Sequence, residues 1–304
     1  MFDNRHPKYV NNYLSLSIKT TVMQTILVPT DFSLNANKAL NYAAEVAKLS
    51  RASIILMHVT NLTHATINEN VVLAETLDNE VFEEAHRQLD ILVAATKEIT
   101  GGHVEKQMYN GFVTDAIQQA VIENKANLII MGTLGNSGVR EKLFGSITAK
   151  LISHVGVPLL AVPLMYEWEP PKNMLLAINH FKESPEVLQP MLQLASVLKA
   201  PVHVSVFTDE DNAEAADYLQ NRRDIELFCV NMQQQHPELS IVPAPVYGHH
   251  FEEAIKSYIH NNETGLLVMV THKRNFIESI FNRSLTKKMS YHTDIPLLSI
   301  PIHS

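Results

Sequence analysis

Short, continuous apolar runs alternate along this chain with longer stretches whose apolar residues recur every three or four positions. "TILVPT" from Thr25 is one such run, of the kind found in strands buried on both faces. From Ser33 to about Ser50, Leu40, Ala44, Val46 and Ala47 share one side of a helix. "SIILMHV" is a second strand, Val71 to Thr100 a long helical segment, "VEKQMYN" a third strand and "GFVTDAIQQAVIENK" a helix. "ANLIIMG" reads as a fourth strand, Ser146 to His154 as a helix and "PLLAVP" as the last strand. This alternation predicts a parallel sheet with helices on both faces and right-handed crossovers.

The layout occurs twice. Thr25 to Val59 has the same sequence of elements as Asn173 to Phe207, and "FGSITAKLISHVGVPLLAVP" from Phe144 matches "NRSLTKKMSYHTDIPLLSIP" from Asn282 without a gap. The repeat predicts two α/β domains, residues 23–163 and 173–304, in which copy two follows the element order of copy one. Residues 164–172 form the join, where Pro170-Pro171 disfavours helix and stiffens the chain. Residues 1–22 are polar and Asn-rich; they read as a flexible extension or an over-long start, with Met23 as the natural beginning.

Composition narrows the class. The 304 residues suffice for two ordinary domains, and an apolar fraction of 46% is that of a folded globular chain. A net charge of -8 argues against general nucleic-acid affinity, which needs a basic face. The single cysteine, Cys229, allows no intrachain disulfide and suits a reducing compartment. No apolar run reaches transmembrane length and the leader lacks the apolar stretch of a signal peptide, so a cytoplasmic location is expected.

In parallel α/β sheets, ligands bind beyond the carboxyl ends of strands where the strand order reverses. That singles out the turns after the first and fourth strands. The first is "VPTDFS", with Pro29 stiffening the exit and Asp31 at the tip. Asp31 can accept from an adenine amino group or a ribose hydroxyl; capping of the next helix by Asp31 or Ser33 is the competing reading. The second turn holds four of the chain's ten glycines: Gly132, Gly135, Gly138 and Gly145. Gly132 and Gly135 would let backbone amides approach a ligand, and Gly145-Ser146 would begin a helix whose free amides favour an anion. Loop glycines with a Ser cap are the alternative. The spacing is neither a P-loop nor G-x-G-x-x-G.

Gly132-x2-Gly135-x9-Gly145-Ser146, with an Asp after the first strand and the closing "HVGVPLLAVP", resembles the nucleotide motif of the universal stress protein family. The resemblance covers nearly all of both copies. It implies, for each copy, an open five-stranded parallel sheet of order 3-2-1-4-5 with flanking helices, similar to the adenine nucleotide alpha hydrolases. It also implies ATP, ADP or AMP in copy one. Asp31 would face the adenosine with Pro29 and Thr30 beside it, and Val59 would meet adenine through its backbone. Met131 and Gly132 would lie near the ribose, and Gly135, Gly145, Ser146 and Ile147 along the phosphates, with Thr148 a weaker candidate. A divalent ion such as Mg²⁺ could accompany the phosphates, with no protein ligand identified. Single-domain relatives pair, so the copies are expected to form an intrachain pseudo-dimer through the apolar edges "PLLAVP" and "PLLSIP". Dimerisation of whole chains stays open.

Copy two departs from the motif. Asn179 replaces the Asp, Thr271 and Arg274 are read at the places of Gly132 and Gly135, Arg283 at that of Gly145, and the spacing is one residue shorter. It is not expected to hold ATP. Elsewhere, His249, His250 and His260 lack a compact metal-ligand pattern, His58 and Met57, Met131 and Met269 read as strand core, Cys229 as packing, and Trp168 as a clamp between the copies. No catalytic set is apparent: His-x-Gly-His and Ser-Gly-Gly-x-Asp-Ser are both absent. The reading is a nucleotide-binding stress-response protein whose ligand regulates partner proteins. A slow ATPase or self-phosphorylating enzyme, and a nucleotide-free scaffold, are the alternatives.

Overall fold

A computed structural model of the chain describes residues 23–60, 71–133, 145–178, 185–211, 213–271 and 294–302. Its first half runs β1 (Thr25–Pro29), α1 (Leu34–Ser50), β2 (Ser53–Thr60), α2 (Val71–Thr100), β3 (Val104–Asn110), α3 (Val113–Glu123), β4 (Leu128–Gly132), α4 (Ser146–His154) and β5 (Leu159–Val162). The second half runs β6 (Met174–Ile178), α5 (Pro185–Leu198), β7 (Val202–Asp209), α6 (Ala215–Gln235), β8 (Ile241–Pro243), β9 (Val246–Gly248), α7 (Phe251–Asn261), β10 (Leu266–Thr271) and β11 (Leu297–Pro301). Residues 1–22, expected to be an extension, lie outside the described residues.

Each half has the order expected, 3-2-1-4-5, all parallel. The two sheets are continuous, in the order β3-β2-β1-β4-β5-β11-β10-β6-β7-β8, with β9 also on β7. The join is antiparallel: Leu297 faces Ala161, Leu298 faces Leu160 and Ser299 faces Leu159. In the gapless alignment of the copies Leu298 is the counterpart of Leu160, so a pseudo-two-fold axis passes through that pair. The apolar final edges therefore cover one another inside the chain.

The central strands β1, β4, β5, β6, β10 and β11 are buried nearly throughout because helices lie on both faces. One apolar layer joins α1, α2, α5 and α6 to the sheet, and the opposite layer joins α3, α4 and α7. Alanines 36, 39, 43, 44 and 47 give α1 a small-residue face that lies close to the strands. The helix begins one residue later than expected. Ser33 is its N-cap, and its hydroxyl accepts from the Ala36 N–H at 3.2 Å.

Copy two does not repeat the element order in full. Its third strand is split into β8 and β9, both parallel to β7. The sequence between is "PAP", and Pro243 and Pro245 offer no N–H to a ladder. Ala244 N–H alone keeps the bond to Val204 carbonyl, at 2.8 Å.

The connecting segment is fastened at both ends. Trp168 packs edge-on against Tyr42 of α1, with ring centroids 4.7 Å apart, and Lys38 pairs with Glu167. Pro171 lies on Gly265 of the second half, where a Cβ would stand 2.7 Å from the Pro171 Cα. The expected clamp is thus divided between Trp168 and Pro171. Gly265→Val should lower unfolding stability by about 1–3 kcal/mol through overpacking against backbone. Gly102→Ala, whose Cβ would meet nothing nearer than 3.7 Å, should stay within about 0.5 kcal/mol. Urea denaturation of both variants checks this.

Candidate functional site

The central strands β1 and β4 are paired in parallel, with Ile26 facing Leu128 and Leu27 facing Ile129. Their carboxyl ends bring the two turns singled out by sequence to one edge of the sheet. At the first, the chain is braced locally. Phe32 N–H donates to Thr30 Oγ1 and Ser33 N–H to Asp31 Oδ1, each at 3.0 Å. Ser33, not Asp31, caps α1, so the Asp31 carboxylate shapes the turn rather than the helix end. Phe32 itself has φ 62°, a backbone region rare for a bulky residue.

The β1–β2 ladder stops at this turn. Thr30 N–H still donates to Met57 carbonyl at 2.8 Å. A continuing parallel ladder would offer the Thr30 carbonyl to Val59 N–H. It instead accepts from His58 Nδ1–H at 2.8 Å. The tautomer with the proton on Nδ1 is fixed by that carbonyl, which can only accept. His58 is therefore satisfied, as expected of a strand histidine, and it takes the acceptor that a continuing ladder would offer to Val59. Nothing in the local sequence announces this, because the bond spans 28 residues.

At the second turn, Thr133 N–H donates to Val162 carbonyl at 3.0 Å and Gly145 N–H to Thr133 carbonyl at 2.6 Å. These bonds hold the start of α4 against the end of β4. Gly145 is the N-cap of α4 and provides no side-chain cap. Ser146 and Ile147 are exposed at that end. Ala149 N–H is the first to find an intrahelical acceptor, at Gly145 carbonyl, so the amides before it form a donor set suited to an anion. Thr148 is buried, and its hydroxyl donates to Gly132 carbonyl at 3.0 Å; it ties the helix to the strand. Gly135 and Gly138 lie outside the described residues.

Gly132 has a structural duty of its own. A Cβ there would come within 2.7 Å of Asn35 Cγ and Nδ2 on α1. Its lack of a side chain is what lets α1 close on β4, whatever ligand lies beyond. Pro29, Val59 and Met131 stand at the same edge of the sheet; Met131 and the half-buried Val59 belong to the layer beneath α3 and α4.

Strand register corrects one part of the sequence comparison. Gly132 faces Val162 on β5, and Val270 faces Ile300 on β11. Val162 and Ile300 are counterparts, so Val270 replaces Gly132 and Thr271 corresponds to Thr133. With that one-residue shift the loops have equal length, and Lys273 takes the place of Gly135. Asn179, Lys273, Arg274, Arg283 and Ser284 lie outside the described residues.

The second half differs again at the end of its second strand. The registers Ile26–Ile54 and Met174–Val202 make Phe207 the counterpart of Val59 and Val206 that of His58. Val113 and Phe251 are the first residues of α3 and α7. A valine pair in one half is therefore a phenylalanine pair in the other, packed edge-on with centroids 5.5 Å apart. The two rings take up more room at the end of β7 than two valines would.

Other candidates resolve as packing or surface groups. Met57, Met131 and Met269 are core. His249 Nδ1 lies 2.8 Å from Asp211 Oδ1, and this carboxylate, with Glu210 and Asp209 nearby, holds the imidazole pKa above its ordinary value. Among the described residues, no group of three or more His, Cys, Asp or Glu could hold a metal ion. No described helix is long and apolar enough to cross a membrane.

Comparison with known proteins agrees with this geometry. The sequence model of the universal stress protein family matches residues 23–163. A universal stress protein of Methanocaldococcus jannaschii is 27% identical over 157 residues, covering 47% of this chain and 96% of its own length. One from Synechocystis is 24% identical over 299 residues, covering 91% of this chain and 99% of its own. The crystal structure of a universal stress protein from Archaeoglobus fulgidus has the same fold, with a TM-score of 0.68 at 18% identity over 92% of this chain and 96% of that one.

Two outcomes are expected. Gly132→Ala should destabilise the ligand-free protein by about 1–3 kcal/mol, and most of that loss should vanish in an Asn35→Ala background. A full, unreduced penalty in the double variant would show that Asn35 is not what Gly132 accommodates. The Cys229 thiol is pushed up to about 12 by burial. It should resist iodoacetamide at neutral pH in the folded protein and react on unfolding, where thiols ionise near ~8.5. Because the folded thiol holds its proton longer, this group's contribution to stability is full below the unfolded value and is lost as pH rises towards 12.

Proposed function

We propose that this chain, which belongs to the universal stress protein family through residues 23–163, holds an adenine nucleotide in its first half and not in its second. The observation that carries the proposal is the uncapped start of α4. Ser146 and Ile147, just beyond the Gly145 N-cap, present amides with no intrahelical acceptor at the carboxyl edge of the β1–β4 pair, the strand-order switch point where α/β sheets bind ligands. The donor set fits a phosphate chain. The Thr30 carbonyl, a ladder acceptor for Val59, is engaged by His58 instead, which fits a base that bonds to backbone at Val59.

In this reading Asp31 holds the adenosine, with Pro29 and Thr30 beside it. Met131 and Gly132 line the ribose. Gly135, Gly145, Ser146 and Ile147 bind the phosphates, and Thr148 acts through its bond to Gly132 rather than by touching ligand. ATP is the leading candidate, and Mg²⁺ would be held chiefly by its phosphates. In the cytoplasm, bound nucleotide would change the surface that this edge of the first half presents to partner proteins, because a ligand that prefers one state shifts the population towards it.

Residues 173–304 form a second domain of the same kind with a degenerate site. Val270 replaces Gly132, and Phe207 and Phe251 stand where the first half has Val59 and Val113. Denaturing the purified protein and weighing what it releases by mass spectrometry should yield one adenine nucleotide per chain or fewer. Titration calorimetry should show Asp31→Ala and Gly135→Val weakening ATP by about tenfold or more, a loss of roughly 1.4 kcal/mol. Equal affinity in wild type and both variants would overturn the site.

A further inference from the structure

A second cleft lies on the opposite face of the sheet from Val59 and Met131. It is bounded by Phe32 and His58 on one side and by Glu80, Val81, Glu84, Ala85 and Gln88 of α2 on the other, with a volume of about 350 Å³. That is within the range of small-ligand pockets. Phe32 packs with the apolar layer under α1 and α2, whereas Val59 and Met131 belong to the other layer.

We propose that this cleft is a binding site for a small organic amine with an aromatic or flat apolar body. Two features of the walls select that chemistry. The rings of Phe32 and His58 are stacked with centroids 4.4 Å apart at 32°, and aromatic faces attract cations. The α2 wall carries two carboxylates, Glu80 and Glu84, against one guanidinium, Arg87, which already pairs with Glu84. Gln88 Nε2 donates to Glu84 Oε1 at 2.7 Å and holds that carboxylate in place. With the Arg87–Glu84 pair counted as neutral, one net negative charge remains on the α2 wall, which favours a cation over an anion. His58 spends Nδ1–H on the Thr30 carbonyl, so in the neutral ring its other nitrogen is an acceptor for an ammonium or hydroxyl proton.

The backbone supports the assignment independently. Phe32 occupies the left-handed region at φ 62°, which strained residues at ligand clamps do more often than residues elsewhere. The turn is held by the bonds to Thr30 Oγ1 and Asp31 Oδ1, and the Phe32 ring lies against His58. A ligand here would touch Phe32 and His58, the two residues that flank and brace the Asp31 turn.

The test uses the full chain and three probes of one shape. Tyramine is the cation, 4-ethylphenol the neutral isostere and 4-hydroxyphenylacetate the anion. Calorimetry or ligand-observed NMR should show saturable one-to-one binding of tyramine, about tenfold weaker binding of the neutral probe and none of the anion. The double variant Glu80→Gln, Glu84→Gln alters exposed and half-exposed groups, so it should keep the wild-type melting temperature while tyramine falls to the level of 4-ethylphenol. Saturating ATP should not displace tyramine. The proposal is overturned if tyramine fails to saturate in the millimolar range, if all three probes bind alike, if the double variant retains full affinity, or if ATP competes. The first three outcomes leave the nucleotide assignment untouched.

Discussion

The antiparallel pairing of β5 with β11 is the constraint from which the rest of the architecture follows. An open parallel sheet ends in an edge strand with unpaired backbone groups, a liability when that strand is apolar. Here each half supplies the cover for the other, and Leu160 facing Leu298 places the pseudo-two-fold axis at the seam. Because every strand in a half runs parallel to its own final strand, the carboxyl ends of the two halves point to opposite edges of the common sheet. The carboxyl ends of β6 and β10 therefore lie at the edge opposite the candidate nucleotide site. The same antiparallel sense brings the end of β5 to the side on which β6 begins. The connecting segment has only three strand spacings to cross, about 14 Å, and is fastened by Trp168 and Pro171 on the way.

Separation of the two mouths leaves each half's site free to differ. The seam residues are nearly the same in both, "PLLAVP" and "PLLSIP", while the carboxyl ends are not. His58, Val59 and Gly132 in one half stand opposite Val206, Phe207 and Val270 in the other. The three changes act in the same direction. Losing the histidine removes the side-chain donor to the carbonyl at the tip of the first strand, phenylalanine is bulkier than valine at the end of the second, and valine brings a side chain to the tip of the fourth strand.

Much of this was legible in the sequence because local signals and the repeat agreed. The bounds of α2 and α4 came directly from apolar periodicity, and strand order followed from the alternation of elements and the family resemblance. The split of the third strand of copy two is also written there, in Pro243 and Pro245, and departs from the uniform element order that the repeat predicts. Other features could not be read locally. The replacement of Gly132 by Val270 rather than Thr271 depends on which residues face one another across β4–β5 and β10–β11, since a one-residue slip leaves the apolar pattern of such strands almost unchanged. The contact between Gly132 and Asn35 joins positions 97 apart, and only the packing of α1 on β4 creates it.

That contact also changes what the glycines mean. A glycine at the tip of a strand next to a ligand-binding turn invites one explanation, close approach of the ligand. Gly132 has another that is sufficient by itself, since Asn35 occupies the space where its Cβ would be. The two duties are compatible, because the helix that begins just beyond Asp31 must lie close to β4 if Asp31 is to stand beside the start of α4. Helix packing on one face of the tip and ligand approach at its end are then consequences of the same missing side chain. Gly145 differs: its amide is spent on Thr133 carbonyl and it provides no cap, so the α4 amides beyond it remain the donors from which a phosphate site can be built.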